Sequence, residues 1–429
     1  MNTNYEFYTD KNGSNTFRTP SICKALMELR TPENGYDQVY FSLRIEDKID
    51  FEKLEQSVRK VIEDNEALHL LVSDQNKDIN VRLINNFEFK VRRENVPGNS
   101  TDEKIENVHE MVRKELMTEI PIFSDIPIKV IVYTLSEKDH IMLFSVDHLN
   151  FDGHSLVTAG SAFLRNYITP RILWKRSKPA SLLQYYSECE RYEKEHSADL
   201  VKYWNGIMEG YSPVELRPVT SIPDKTSDQL FHISLDKSLL EKKARSFKVS
   251  AFTLSIAAYY YAIYKVYGKK DIQVHYTSAG RNDKRYMETL GPFVKILPTR
   301  VNVEGCNNAT DLIKMVSSAI YDANDHDAYI PYEITRSLSE GQFGVSYENY
   351  TESATIEKTL SKFNMSVFTP KVDTQYGILL ALFVIYYQKT VEFNVHCSLR
   401  LWRAEDVEAI MKNIEYFLTE ADLDNLIID

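Results

Sequence analysis

The chain has 429 residues, 43% of them hydrophobic and 26% charged, a balance that suits a folded globular protein and excludes a disordered one. Its 62 acidic and 51 basic residues leave a formal net charge of −11, which argues against a dedicated nucleic-acid binder with its basic face. No uninterrupted apolar run approaches the roughly 18–20 residues that span a bilayer, and the first residues lack the basic-then-apolar order of a secretory signal.

At roughly 100–200 residues per domain, this length predicts two lobes of about 200 residues each. Four cysteines, Cys23, Cys189, Cys306 and Cys397, lie far apart and form no metal-ligand spacing, so a reduced, cytoplasmic protein without a metal is expected. Lys269, Lys270, Arg281, Lys284 and Arg285 form a candidate basic patch within the negative total. No P-loop and no dinucleotide glycine fingerprint occurs.

The polar first twenty residues predict a loose or extended arm. Residues 39–45 read as a strand, and 50–64 as a helix behind an Asp cap, with Phe51, Leu54, Val58, Val61 and Ile62 at helical spacing. Strands are expected at 81–87 and 128–133, and a charged amphipathic helix at 103–119. Residues 140–146, HIMLFSV, predict a buried strand that runs into a polar turn, Asp147 to Gly153, and then a helix over 155–168. A connector with Pro170 and Pro179 leads to a long helix near 181–209, and Pro213, Pro218 and Pro223 mark the boundary between lobes. The expected division is an N-terminal lobe at 1–175, a linker helix and connector at 176–215, and a C-terminal lobe at 216–429. In the second lobe the pattern predicts a strand near 230–235 and helices at 237–246 and 251–267, the latter closed by Gly268. Strands at 271–278, 296–303, 343–348, 378–387 and 390–398 and a last helix at 404–419 complete a mixed α/β (α+β sandwich) chain.

His148 has the setting of a working residue. If the strand ends near Val146, residues 146, 148 and 150 point one way and 147 and 149 the other, so His148 faces a cavity while Asp147 faces away. A histidine with its ordinary pKa of about 6.5 can accept a proton from an attacking amine or hydroxyl at neutral pH. Gly153 closes the turn, where only a glycine leaves the backbone open to close approach. The bland alternative is a histidine that merely hydrogen-bonds at a strand end.

His148-x-x-x-Asp152-Gly153 resembles the HxxxDG part of the HHxxxDG signature of nonribosomal peptide synthetase condensation domains, with Asp147 in place of the first histidine. Supporting segments follow in family order. Asn65-Glu66-Ala67-Leu68 resembles "HEALR", with His69 in place of its Arg, and Tyr203-Trp204 the "YW" linker helix. Ser278-Ala279-Gly280-Arg281 resembles "SGR", and Gly291 to Arg300 "GxFVNTLPLR"; residues 323–332 and 391–418 follow more loosely. The resemblance implies two chloramphenicol-acetyltransferase-like lobes in a V-shaped pseudo-dimer with a tunnel between them. It also implies amide or ester formation between a carrier-bound acyl thioester and an acceptor amine or hydroxyl. Phosphopantetheine then arrives on donor and acceptor carrier proteins, and the chain itself binds no cofactor.

Residue by residue, the resemblance assigns His148 to positioning or deprotonating the acceptor, and places Gly153 near the reacting carbonyl; Asp147 stands at the altered catalytic position. Asp152 takes a structural role, held by a guanidinium because a buried unpaired carboxylate is costly. Arg300 is the first choice for that partner and Arg281 the second. Ser346, Asn349 and Ser155 are candidate tunnel contacts. Three readings of Asp147 stay open: a harmless substitution, a domain that has become a docking module, or heterocyclization, since Asp147-x4-Asp152-x2-Ser155 also satisfies DxxxxDxxS. A coenzyme A-dependent acyltransferase ranks lower, because Phe343-Gly344-Val345 is a poor substitute for the DFGWG element of the plant enzymes. A free-standing monomer and the first domain of a larger synthetase with adjoining domains both fit.

Overall fold

A computed structural model describes residues 8–9, 15–30, 37–74, 79–168, 178–223, 225–339, 341–351, 353–371 and 379–428. The chain gathers into two compact units that alternate along the sequence. One comprises Met1–Ser197, Ala279–Val294 and Thr355–Thr374, the other Ala198–Ser278, Lys295–Ala354 and Gln375–Asp429.

The first unit carries two sheets. A small one has the order β1 (Tyr8–Thr9), β2 (Asn15–Arg18), β5 (Asn80–Leu83), β4 (Leu70–Asp74). The larger runs β13 (Met365–Val367), β3 (Gln38–Ile45), β8 (Asp139–Asp147), β7 (Ile128–Ser136), β6 (Arg92–Asn95). The expected arm over the first twenty residues therefore contains two paired strands, its other residues up to position 14 lying outside the described residues. The strand expected at 81–87 is shorter, at 80–83, because Asn86 and its neighbours leave the apolar alternation. The connector expected at 169–180 lies outside the described residues up to 177.

Strand β8 is central and antiparallel to both neighbours, with Asp147 opposite Gln38 and Val146 opposite Ile128. Every residue from His140 to Asp147 is buried, as expected of a strand covered on both faces. On one face α3 (Thr101–Leu116) packs Val108, Val112 and Leu116 against Ile131, Tyr133, Ile141 and Leu143. Each such buried aliphatic side chain contributes roughly 1.5–3 kcal/mol. This helix starts two residues before the expected 103 because the Ser100 hydroxyl accepts the Glu103 amide. Helix α1 (Ser21–Leu29) precedes the sheet, and α2 (Phe51–Glu63), capped by Asp50, packs on α4 (Gly153–Ile168). Gly160 of α4 lies over the Phe41 ring, which stacks on Phe144 at 4.8 Å.

Helix α5 (Leu182–Met208) leads into the second unit. Its sheet has the order β11 (Lys295–Asn302), β10 (Asp271–Ser278), β12 (Phe343–Asn349), β14 (Leu380–Tyr386), β15 (Thr390–His396), β9 (His232–Asp236). β10, β12 and β14 run parallel and the outer pairings are antiparallel. After the short α6 (Ser227–Leu230) come α7 (Lys237–Ser246), α8 (Ala251–Tyr267), α9 (Ala309–Asp325), α10 (Tyr332–Ser339), α11 (Ser353–Ser361) and α12 (Ala404–Thr419). Helix α8 is apolar almost all round because it is buried almost all round. Two of its five tyrosines pair their hydroxyls across the core, Tyr259 with the Leu380 carbonyl and Tyr260 with Thr299. Gly268 ends it at φ +65°, donating to the Tyr264 carbonyl.

Candidate active site

The motif occupies the join between β8 and α4, a 3₁₀ turn at His148–Asn150 between two rigid elements. The Asp147 carboxylate folds over this turn and accepts the Leu149 amide at 3.1 Å. It is 1% exposed and receives Arg30 Nε at 2.7 Å. Arg30 also donates to Glu119 and to the Ile120 carbonyl. Burial raises the Asp147 carboxyl above the usual carboxylate range, with Arg30 opposing that rise. Asp147, counted among the catalytic residues on sequence grounds, is thus sealed inside an ion pair and has no access to a substrate.

Asp152 caps α4, accepting the Ser155 amide at 2.7 Å. Its other bonds bring in the segment 279–294. Arg281 Nη2 donates to both carboxylate oxygens, at 3.1 and 3.2 Å, and the Phe293 amide donates to Oδ2 at 3.0 Å. Arg281 reaches further, with Nη1 to the Tyr286 and Thr289 carbonyls and Nη2 to Ser155 Oγ, while its guanidinium lies 4.0 Å from the Phe293 ring centroid. Burial lowers its pKa and Asp152 offsets part of that fall. Ser155 Oγ donates to the Gly291 carbonyl and accepts its amide, both at 3.0 Å. A side chain at Gly291 would meet Leu182 at 2.6 Å, so this approach needs glycine.

Three expectations are corrected here. The partner of Asp152 is Arg281 and not the first-choice Arg300, which pairs with Asp271 at 2.7 Å on the antiparallel β10–β11 register. Ser155 is fully buried and engaged with Gly291, so it is no tunnel contact. Arg281, buried at 8% exposure, is not part of a surface basic patch. Of the other candidate contacts, Ser346 Oγ lies 3.4 Å from Thr277 Oγ1, and Asn349 is exposed and caps its own turn through Thr351.

His148 and Gly153 differ from the rest of the motif. The His148 amide donates to the Asp37 carbonyl, fixing the backbone, while the half-buried ring keeps a buried Nδ1 without a hydrogen-bond partner. Gly153, the first residue of α4, is exposed, and a Cβ there would enter open space with no atom within 4 Å. Sequence reasoning missed Arg30 and Asn150. Asn150 Nδ2 ties the turn to the Ala67 and Leu70 carbonyls, next to the Asn65–Leu68 segment that the family resemblance had marked. Position 30 carried no signal of its own, since its partner lies 117 residues away.

The family model for the condensation domain matches residues 27–424. This chain belongs to the condensation domain family. It is 24% identical over 412 residues to surfactin synthase subunit 1 of Bacillus subtilis (strain 168), covering 89% of this chain and 11% of that protein. Among solved structures, the X-domain from teicoplanin biosynthesis superposes with a TM-score of 0.77 at 15% identity, over 96% of this chain and 97% of the other. The first condensation domain of the calcium-dependent antibiotic synthetase, in complex with a substrate analogue, gives 0.66 at 15% identity, over 96% and 99%. The fold is shared with both, and the chain spans about a tenth of the curated relative's length.

Proposed function

We propose that this domain joins a carrier-bound acyl group to an acceptor amine, with His148 as the proton-handling residue. The observation that carries this is the division of labour inside the motif. Asp147, Asp152 and Ser155 are buried and consumed by Arg30, Arg281 and Gly291, while His148 and Gly153 are left free of such ties. The amine nitrogen bonds to the thioester carbonyl carbon, the carbon–sulfur bond breaks, and the proton lost from nitrogen ends on the departing thiol. His148 takes that proton and passes it on, while Gly153 leaves room beside the turn for the reacting carbonyl. Alignment of two tethered reactants supplies most of the acceleration, and proton transfer adds a factor of order 10²–10⁴. Donor and acceptor carrier domains would bring the phosphopantetheine arms. A heterocyclization in which the Asp147 and Asp152 carboxylates act on the ring is disfavoured by their engagement with Arg30 and Arg281.

The test supplies wild type and His148→Ala with acyl-pantetheine thioesters and amines, cysteine and serine included, and searches for product by mass spectrometry. Amide from the wild type, lost in a folded His148→Ala, is the expected result; undiminished turnover in the variant removes the role of His148. A product lighter by one water would move the reading to cyclization. A second reading, a recruiting module, is favoured by the likeness to the X-domain from teicoplanin biosynthesis, whose complex with OxyB is also among the solved structures. It gains if carrier-loaded substrates yield no product with the wild type but a carrier or tailoring enzyme binds.

A further inference from the structure

The second unit contains a cleft of about 590 Å³ lined wholly by its own residues, none of them from the motif. It lies where the parallel strands β10, β12 and β14 end, beside the first turn of α8. Four aromatic rings form one continuous wall. Tyr276 meets Phe252 edge-on at 6.0 Å, Phe252 meets Tyr347 edge-on at 5.5 Å, and Tyr347 leans on Tyr386 at 5.0 Å. Among the lining residues the single formal charge is the carboxylate of Glu241, on α7. Arg245 is its partner, at 3.6 Å and largely exposed, a contact weak enough for a ligand to displace.

One polar group here lacks a partner. Tyr386 is 6% exposed, yet its buried hydroxyl makes no hydrogen bond. A buried hydroxyl left unpaired forfeits its hydrogen bond to water, and a ligand donor would restore one. Burial first, and then the neighbouring tyrosine and the Glu241 charge, keep this phenol in its neutral form. The positive end of α8 is covered, since Ser250 Oγ accepts the Thr253 amide and pairs with its hydroxyl. Tyr386 already carries the Lys237 ammonium at 5.9 Å from its ring centroid, whereas Tyr347 and Phe252 carry no such cation among the described residues.

Electron-rich ring faces around one carboxylate recognise an organic ammonium group: the rings attract the charge, and the carboxylate and phenol oxygen accept its N–H bonds. We propose that this cleft is a binding site for an organic ammonium ligand, with Glu241 as the counter-charge and Tyr347 and Tyr386 as walls. Cation–ring attraction and the ion pair together predict that an ammonium outbinds its neutral isostere by about tenfold or more.

The probe is phenethylammonium, titrated into the full chain by calorimetry, with 2-phenylethanol as the neutral isostere. Saturable binding is expected, about tenfold weaker for the alcohol and for Glu241→Gln, and weaker again for Tyr347→Leu. Tyr347 is 41% exposed and Glu241 is a half-buried mid-helix residue of α7 that pairs with the exposed Arg245, so neither change should disturb the fold, which circular dichroism checks. His148→Ala should bind the amine as the wild type does. Equal affinity for amine and alcohol, an unaffected Glu241→Gln, or no saturable binding by the wild type at millimolar amine overturns the assignment.

Discussion

Replacing Arg281 by methionine would leave the Asp152 carboxylate buried without its cation. The two side chains are 2% and 4% exposed, so water cannot take the place of the guanidinium. Breaking such a pair from one side costs about 3–5 kcal/mol. Asp152 keeps the Ser155 and Phe293 amides, which softens the loss, but the Tyr286 and Thr289 carbonyls lose their shared donor, which restores it. Against a total stability of roughly 5–15 kcal/mol this is a large fraction. Hydrogen exchange read by mass spectrometry on peptides spanning 150–156 and 279–294, with urea melts followed by circular dichroism, reports on the clasp itself. Asp152→Asn in the same chain removes the stranded charge while keeping an acceptor for the Ser155 amide. The double variant should therefore recover part of the loss, with a coupling energy of about 1–3 kcal/mol. A cost below about 1 kcal/mol for Arg281→Met, with unchanged exchange in both peptides, would refute the clasp.

Gly153→Ala should leave the melting temperature unchanged, because its Cβ enters open space on a helix N-terminus, and should still lower product formation; full activity would deny the glycine a role at the reacting centre. Asp147→Ala removes one of the carboxylates on Arg30, which keeps Glu119 and the Ile120 carbonyl, and should cost about 1–3 kcal/mol while folded molecules keep their turnover; lost turnover at unchanged stability would return Asp147 to the chemistry. His275, buried on β10 with Gly344 close against its ring, has its pKa lowered to about 4 by burial. The folded value lies below the unfolded one of about 6.5, so its contribution is present above pH 6.5 and is lost as pH falls toward 4, up to about 3 kcal/mol. His275→Leu should flatten the acid limb of urea stability measured from pH 7 to pH 4; an unchanged slope would show that the ring is solvated.

Much of the architecture is legible in the residues themselves. The repeat of Leu54, Val58, Val61 and Ile62 is a helical stripe wherever it occurs, and Asp50 and Gly268 announce helix ends through bonds that span three or four positions. The run HIMLFSV identified a covered strand, and the turn after it located His148 and Gly153. These signals are short-ranged: a period of 2 or 3.6 residues and a cap are complete within a few neighbours. Partner choice is not short-ranged. Arg281 and Arg300 offer the same guanidinium, both within segments of family resemblance, and nothing local tells which one meets a carboxylate 129 positions from Arg281. Tertiary structure decided it, because segment 279–294 packs into the first unit and carries Arg281 to α4, while β11 sets Arg300 opposite Gln273, within diagonal reach of Asp271. The same holds for Arg30, whose burial beside Asp147 turned an altered catalytic position into part of the scaffold. Local pattern determined the elements and the motif; only folding determined which charges were neutralised and therefore which motif residues remained free for chemistry.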